Sequence, residues 1–332
     1  VFEVEHRRAH PMSMEYRRLG ESGLRVSTIS LGTWLTVGNT VDAATTTTLV
    51  ARAVEHGVNL LDTADIYARG ASEEALGHAI ASLPRHRLVL ATKCFFPMSD
   101  DPNDRGLSRK HLVESLEKSL RRLRTDYVDL YQCHRPDPEV PLAETCRAMD
   151  DLARAGKLLY WGVSMWSAEQ IAAAVALCRS AGYLLPISNQ PCYNLLDRSI
   201  EAQVIPVSKA NGVGQIVYSP LAQGVLTGKY RKGGEQPAGS RAADPRVNQF
   251  IGRFLTQDAL ARVDRLAALA KEVGTTPAVL ALAFCLRSSS VASVIVGATR
   301  AAQLDENLRA ASFAIQPEVG ARLDELFPAT LP

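Results

Sequence analysis

Eight short apolar runs recur along the chain, each five to eight residues long, and most are separated by longer segments of helical period. They read "STISLGT" (27–33), "NLLDTAD" (59–65), "LVLATK" (88–93), "YVDLYQCH" (127–134), "YWGVS" (160–164), "PISNQ" (186–190), "QIVYSP" (215–220) and "ASVIVG" (292–297). Several are apolar at consecutive positions, as expected of strands covered on both faces. Between the third and fourth, Leu112, Leu116, Leu120 and Leu123 fall at three- and four-residue spacing, one apolar stripe on a helix over 108–124. Ser167 with Gln170 three residues later reads as a capping box. Thr276-Pro277 reads as an N-cap followed by proline at the first helical position, where no backbone donor is missed. Eight strands with intervening helices favour an α/β fold of the closed (β/α)8 TIM-barrel kind over an open doubly wound sheet.

Four decorations are expected. "YRRLGESGLRVS" (16–27) has a Gly-containing turn between extended pieces and predicts an N-terminal β-hairpin. After the seventh strand, residues 221–257 are rich in Gly, Pro and polar residues, too long for a routine connection and of the length typical of binding loops. An additional helix over about 258–273 and a last one over 317–327 complete the chain. No linker divides residues 14–332, which read as a single domain. Residues 1–13 are polar and read as a loose or expression-derived extension.

The net charge of +2 points to no nucleic-acid or membrane partner, and "RRLR" (121–124) reads as a solvated helix face. No apolar run approaches the length of a membrane span, and the opening residues do not read as a signal peptide. The six cysteines form no CxxC pair and no zinc spacing. They read as reduced thiols, and the expected location is the cytoplasm.

In such barrels active sites lie at the C-terminal ends of the strands. The second strand ends near Asp62, the third at Lys93 and the fourth at His134, and Tyr67 lies in the loop after the second. Neighbouring strands stand roughly 4.8 Å apart, so these groups can meet. Asp62 is tolerated there if Lys93 pairs with it. The cation would lower the Tyr67 pKa from its ordinary ~10, and the phenol could then give a proton to a developing alkoxide. His134 could orient a carbonyl oxygen. Taken singly, Asp62 and Lys93 are equally explained as a structural ion pair, and His134 as a packed residue. The four together suggest carbonyl reduction.

Hydride chemistry needs a cofactor, and no GxGxxG follows a strand; "GVG" (212–214) is a turn signal. The late loops offer a dinucleotide site across the mouth instead. "SPLAQGVLTGKY" (219–230) brings exposed backbone and Lys229. "GATRAAQLDENL" (297–308) starts with Gly297 at a strand end and runs into a helix whose N-terminus, with Arg300, can hold an anion. Plain helix capping explains that stretch as well.

These residues resemble the aldo-keto reductase superfamily over nearly the whole length, from Met14 to about Phe327. "GVNLLDTADIY" with "SEEALG" (57–77) is similar to the family signature around its catalytic Asp and Tyr; "ATKCF" carries the lysine and "LYQCHRPDP" the histidine. "YRRLGESGLRVSTISLGTW", "RGLSRKHLVESLEKSLRRL" and "YWGVSMWS" are most similar to the branch containing the potassium-channel β subunits. The resemblance implies hydride transfer from NADPH to an aldehyde or ketone, with Tyr67 as general acid. It implies cofactor contacts as well: Gly32, Thr33, Trp34 and Asp62 near the nicotinamide, Ser164 and Gln190 at its carboxamide, and Tyr218 stacked on the ring. Ser219, Leu221, Gln223 and Gly224 would follow the pyrophosphate, with Lys229, Ser240 and Arg241 on the long loop. Thr299, Arg300, Gln303, Glu306 and Asn307 would hold the adenosine 2′-phosphate end.

Two positions depart from the pattern. Met165 stands where many family members have Asn, which weakens one carboxamide contact. His134 stands where channel β subunits carry Asn, which favours turnover over a mainly regulatory role. Aromatics near the mouth, Trp34, Phe96, Trp166 and Tyr193, are expected to form the substrate wall with Tyr67 and His134; outer-layer packing is their alternative. The expected substrate is a small carbonyl compound, with aldehydes, aromatic ketones and keto-sugars all open. A homo-oligomer is possible on the same resemblance, since channel β subunits are tetrameric, although many reductases are monomers. A cofactor-loaded regulatory partner is the rival function. A metal-dependent hydrolase is a third, set back by strand ends that lack the necessary ligands.

Overall fold

The computed structural model describes residues 14–231 and 234–329, so the extension over 1–13 lies outside the described residues. Strands β1 (Tyr16–Arg18) and β2 (Arg25–Ser27) form an antiparallel hairpin. The eight strands that follow are β3 (Ile29–Gly32), β4 (Leu60–Asp62), β5 (Val89–Cys94), β6 (Val128–Cys133), β7 (Leu158–Ser164), β8 (Pro186–Gln190), β9 (Gly214–Val217) and β10 (Val291–Val296). They pair in parallel and in chain order, and β10 closes back on β3, giving the expected barrel. Two strands stop earlier than expected. β4 ends at Asp62 and β9 at Val217, which leaves Tyr67 and Tyr218 in loops at the mouth.

The helices are α1 (Ala43–Glu55), α2 (Ala71–Ile80), α3 (Arg109–Leu123), α4 (Leu142–Arg154), α5 (Ala168–Ala181), α6 (Val204–Ala210), α7 (Gln257–Glu272), α8 (Pro277–Leu286), α9 (Ala301–Leu308) and α10 (Pro317–Leu326). Local chemistry explains their ends. The Ser108 side chain accepts from His111 N at the start of α3, and Arg124 takes a left-handed conformation (φ 56°) at its end. The Ser167/Gln170 capping box opens α5, and Gly182 (φ 68°) stops it where a side chain would be strained. Thr276 caps α8 with Pro277 in its first turn. The leucine stripe of α3 is buried in full, worth roughly 1.5–3 kcal/mol per side chain as an upper estimate. α7 is the additional helix, and α10 the last one. No single helix among the described residues is long and apolar enough to cross a membrane.

Two apolar shells result. The larger lies between barrel and helices and includes Trp161, Tyr131 and Phe284. The smaller fills the barrel floor, where Leu60, Val89, Leu130, Ile187, Ile216 and Ala292 meet Leu19 and Val26 from the hairpin. The hairpin is bolted there: Glu21 N donates to Gly212 O (2.9 Å), and the Arg17 guanidinium donates to the carbonyls of Leu286, Ser288 and Val291. With the floor closed in this way, the opposite rim is the open end of the barrel.

Candidate active site

Barrel register sets the site. Asp62 lies beside Ala91, and Lys93 is two residues further along β5, so it sits one layer nearer the mouth on the same face. The Lys93 ammonium is fully buried and donates to Asp62 Oδ1 (2.6 Å), the Thr63 carbonyl (2.7 Å) and Tyr67 Oη (3.3 Å). The second Asp62 oxygen accepts from Gln190 Nε2 (2.8 Å), and Ser164 Oγ donates to the Gln190 carbonyl (2.8 Å). Every hydrogen-bonding site of the ammonium is thereby used, which is what a buried charge requires. The Tyr67 ring stands edge-on to His134, 5.7 Å between centroids. Asp62, Tyr67, Lys93 and His134, read from three separate segments, therefore do share one rim.

The electrostatics differ from expectation at one point. Burial, and then the negative charge of Asp62, push the Tyr67 phenol well above its ordinary value. Burial also lowers Lys93, against the pull of Asp62. The expected lowering of the Tyr67 pKa by Lys93 is thus overturned: loss of hydration outweighs one 3.3 Å hydrogen bond, and Tyr67 stays protonated at neutral pH. His134 is held well below the usual imidazole range by burial and by the nearby cations Lys93 and Arg135, so it is neutral, with Nδ1 buried and unpartnered.

The mouth aromatics divide. Trp34 faces Tyr67 (6.4 Å), Tyr218 (6.1 Å) and Phe250 (5.1 Å). Phe96 packs edge-on to His134 at 4.9 Å. Trp166 and Tyr193 are not substrate wall. Both are buried in the outer core, and Tyr193 packs on Phe284 while its hydroxyl donates to Glu201 (2.6 Å). Apolar burial claimed them, as the packing alternative held. Phe250, from the loop after β9, was missed; it is 44% exposed beside Trp34. Arg135 was missed too, although a basic residue directly after a strand-end histidine was a visible signal.

The loops after β9 and β10 bring the remaining residues together. Ser219, Ala222, Gln223 and Gly224 all take positive φ. Gln223 Nε2 donates to Ser219 Oγ (2.5 Å), and the Arg241 guanidinium donates to Gln223 Oε1. A Cβ on Gly224 would lie 3.2 Å from Lys229 Nζ, so the lysine folds over that glycine. Among the described residues neither Lys229 nor Arg241 has a carboxylate partner, and the buried Ser240 Oγ has no partner at all. Leu221 belongs to the same turn, its carbonyl accepting from Gly224 N. At the next loop, Thr299 donates through N and Oγ1 to Gln303 Oε1, and Arg300 is the exposed N-cap of α9 with no capping bond of its own. Gly297 is exposed at the end of β10, Glu306 half-buried and Asn307 buried on α9. Gly32 has no room for a Cβ, which would meet Ile295 Cγ2 at 2.4 Å, and Thr33 N donates to the Asp62 carbonyl (3.0 Å). Tyr218 Oη donates to Met165 Sδ (3.5 Å), and Met165 holds the positive φ (58°) that Asn tolerates better. Unpaired cations, an orphaned hydroxyl and a positive-φ turn fit a phosphate-bearing ligand. No group of three or more His, Cys, Asp or Glu among the described residues could hold a metal ion.

The chain is similar to proteins named as voltage-gated potassium channel β subunits. Those of Arabidopsis thaliana and Oryza sativa are each 44% identical over 90% of this chain and 91% of the relative. That of Schizosaccharomyces pombe is 40% identical over 96% of this chain and 95% of the relative. The aldo/keto reductase family profile matches residues 28–327, and with the closed barrel and the four-residue rim already in place, the chain belongs to the aldo/keto reductase family.

Proposed function

We propose that this protein reduces an aldehyde or ketone to an alcohol, using NADPH. The observation that carries the reading is the Lys93 ammonium bridging the Asp62 carboxylate and the Tyr67 hydroxyl at the barrel mouth. Bound nicotinamide would supply a hydride to the carbonyl carbon. Tyr67 would give its proton to the carbonyl oxygen, polarised by the Lys93 N–H that it accepts. Lys93 would steady the phenolate that remains, and Asp62 would keep Lys93 charged. Neutral His134 would donate a second hydrogen bond to the same oxygen.

Ser164 and Gln190 would hold the carboxamide and Tyr218 the ring face, while Gly32, Thr33 and Trp34 line the same end. Ser219, Leu221, Gln223, Gly224, Lys229, Ser240 and Arg241 would take the pyrophosphate. Gly297, Thr299, Arg300, Gln303, Glu306 and Asn307 would take the adenosine end, with Arg300 favouring the 2′-phosphate of NADPH over NADH. Six buried free cysteines suit a reducing cytoplasm. The channel-subunit relatives favour a second reading, a cofactor-loaded regulatory protein with slow turnover that assembles with other chains.

Loss of NADPH absorbance with a panel of carbonyl compounds, NADH in parallel, tests the first reading. Tyr67→Phe should cut kcat by about 10²–10⁴ while NADPH binding persists. Near-normal turnover in that variant would sink Tyr67 as the acid. A single rapid oxidation of bound NADPH followed by stalled turnover would select the regulatory reading.

A further inference from the structure

We infer that Arg135 recognises an anionic group on the substrate, so that the preferred substrates are carbonyl compounds carrying a carboxylate or phosphate. The inference deepens the reductase reading and rests on it.

Arg135 follows His134 directly at the end of β6 and is half-buried. Its Nη1 donates to the His134 carbonyl (2.6 Å), and its guanidinium lies 5.5 Å from the Phe96 ring centroid. A guanidinium has five N–H donors, and those contacts use one. No carboxylate among the described residues lies within ion-pair distance of it. Asp137, two residues on, does not serve: its oxygens accept from Leu107 N (2.8 Å) and Glu139 N (3.0 Å). Arg253, the other arginine close to Tyr218, already has Asp197 at 3.6 Å.

Around the mouth Asp62 pairs with Lys93 and His134 is neutral, while Asp65, the other carboxylate whose field reaches Lys93, is buried and accepts from Ser115 Oγ and Ile66 N, which leaves Arg135 without a paired carboxylate. Arg135 is close enough for its field to bear on Tyr67, Lys93, His134 and Tyr218 together, so it belongs to the mouth and not to a remote surface. A half-buried cation with open, planar donors and no internal counter-charge is built to take an anion in bidentate fashion. It stands on the β5–β6 side with Phe96 and His134, whereas the phosphate-fitting cations Lys229 and Arg241 stand on the loop after β9.

The test compares 4-carboxybenzaldehyde with its neutral methyl ester, and 4-formylphenyl phosphate as the phosphate arm. Binding to the NADP⁺-loaded protein is measured by calorimetry and kcat/KM by NADPH oxidation. The parent should prefer the acid to the ester by about tenfold or more, the worth of one charge-assisted contact, and less so at high salt. Arg135→Leu should erase that preference ratio, and Arg135→Lys should restore part of it. The phosphate arm shows which anion fits better. Equal binding of acid and ester by the parent, or an unchanged ratio in Arg135→Leu, would overturn the proposal; so would loss of NADPH affinity in Arg135→Leu as large as the loss for the acid. Selective binding of the acid without turnover would keep Arg135 and sink the reductase reading instead.

Discussion

Asp62→Asn isolates the charge at the centre of the site. The substitution keeps the shape but leaves one acceptor oxygen where two are in use, so either Lys93 or Gln190 loses its partner. Unit charges 2.6 Å apart attract by about 6 kcal/mol at an effective dielectric of about 20. Desolvation offsets part of this, and breaking a buried pair costs about 3–5 kcal/mol. Since Asn retains one hydrogen bond, the lower end applies, about 3 kcal/mol. Unfolding entropy of roughly 0.7 kcal/mol/K for 332 residues turns that into a fall in Tm of about 4 °C. The variant should also show a distinctive pH dependence. Asp62 is the largest influence holding the proton on Lys93 against burial. Without it the folded pKa of Lys93 drops further below the unfolded value of about 10.4. Between those two values the unfolded chain binds more protons, so stability rises with pH by up to about 1.4 kcal/mol per unit. The parent should rise less over the same window. Calorimetric Tm from pH 6 to 10 reads both effects. A variant within 1 °C of the parent (about 0.7 kcal/mol) and parallel to it with pH would refute the claim that the pair is buried and mutually dependent.

Asp65 offers the opposite slope. It is buried and pushed up to about 7 by burial and by Glu73, although Ser115 Oγ and Ile66 N donate to it. Its folded pKa is above the unfolded one, so the parent loses stability as pH rises from about 4 through 7. Asp65→Asn should therefore gain Tm on the parent at pH 8 and not at pH 4; an equal offset at both would refute this. His134, held neutral, should give stability that increases as pH rises toward the unfolded value of about 6.5 and levels off above it, and His134→Asn should flatten that increase in thermal melts. Gly77→Ala would place a Cβ 2.3 Å from the Arg122 carbonyl where α2 meets α3; a loss of about 1–3 kcal/mol in urea unfolding is expected, and none would mean the two helices are not in backbone contact.

Asp62, Lys93 and His134 were legible because each interrupts or ends an apolar run, and strand pairing brings such ends together. The hairpin and the two added helices showed through turn residues, caps and apolar spacing. What could not be read was depth. Trp166 and Tyr193 lie near the rim in sequence but point into packing, and direction in an irregular loop has no period to betray it. The rise of the Tyr67 pKa has the same origin, since desolvation depends on the whole enclosure and not on the neighbour that sequence suggests. Phe250 reaches Trp34 through a succession of short turns after β9, a path no pattern encodes.

The hairpin across the barrel floor carries a consequence for kinetics. A cylinder stoppered at one end has a single doorway. Under the proposed reaction, both ligands would use it, and the one lodged deeper would have to enter first and leave last. Turnover would then follow a compulsory order.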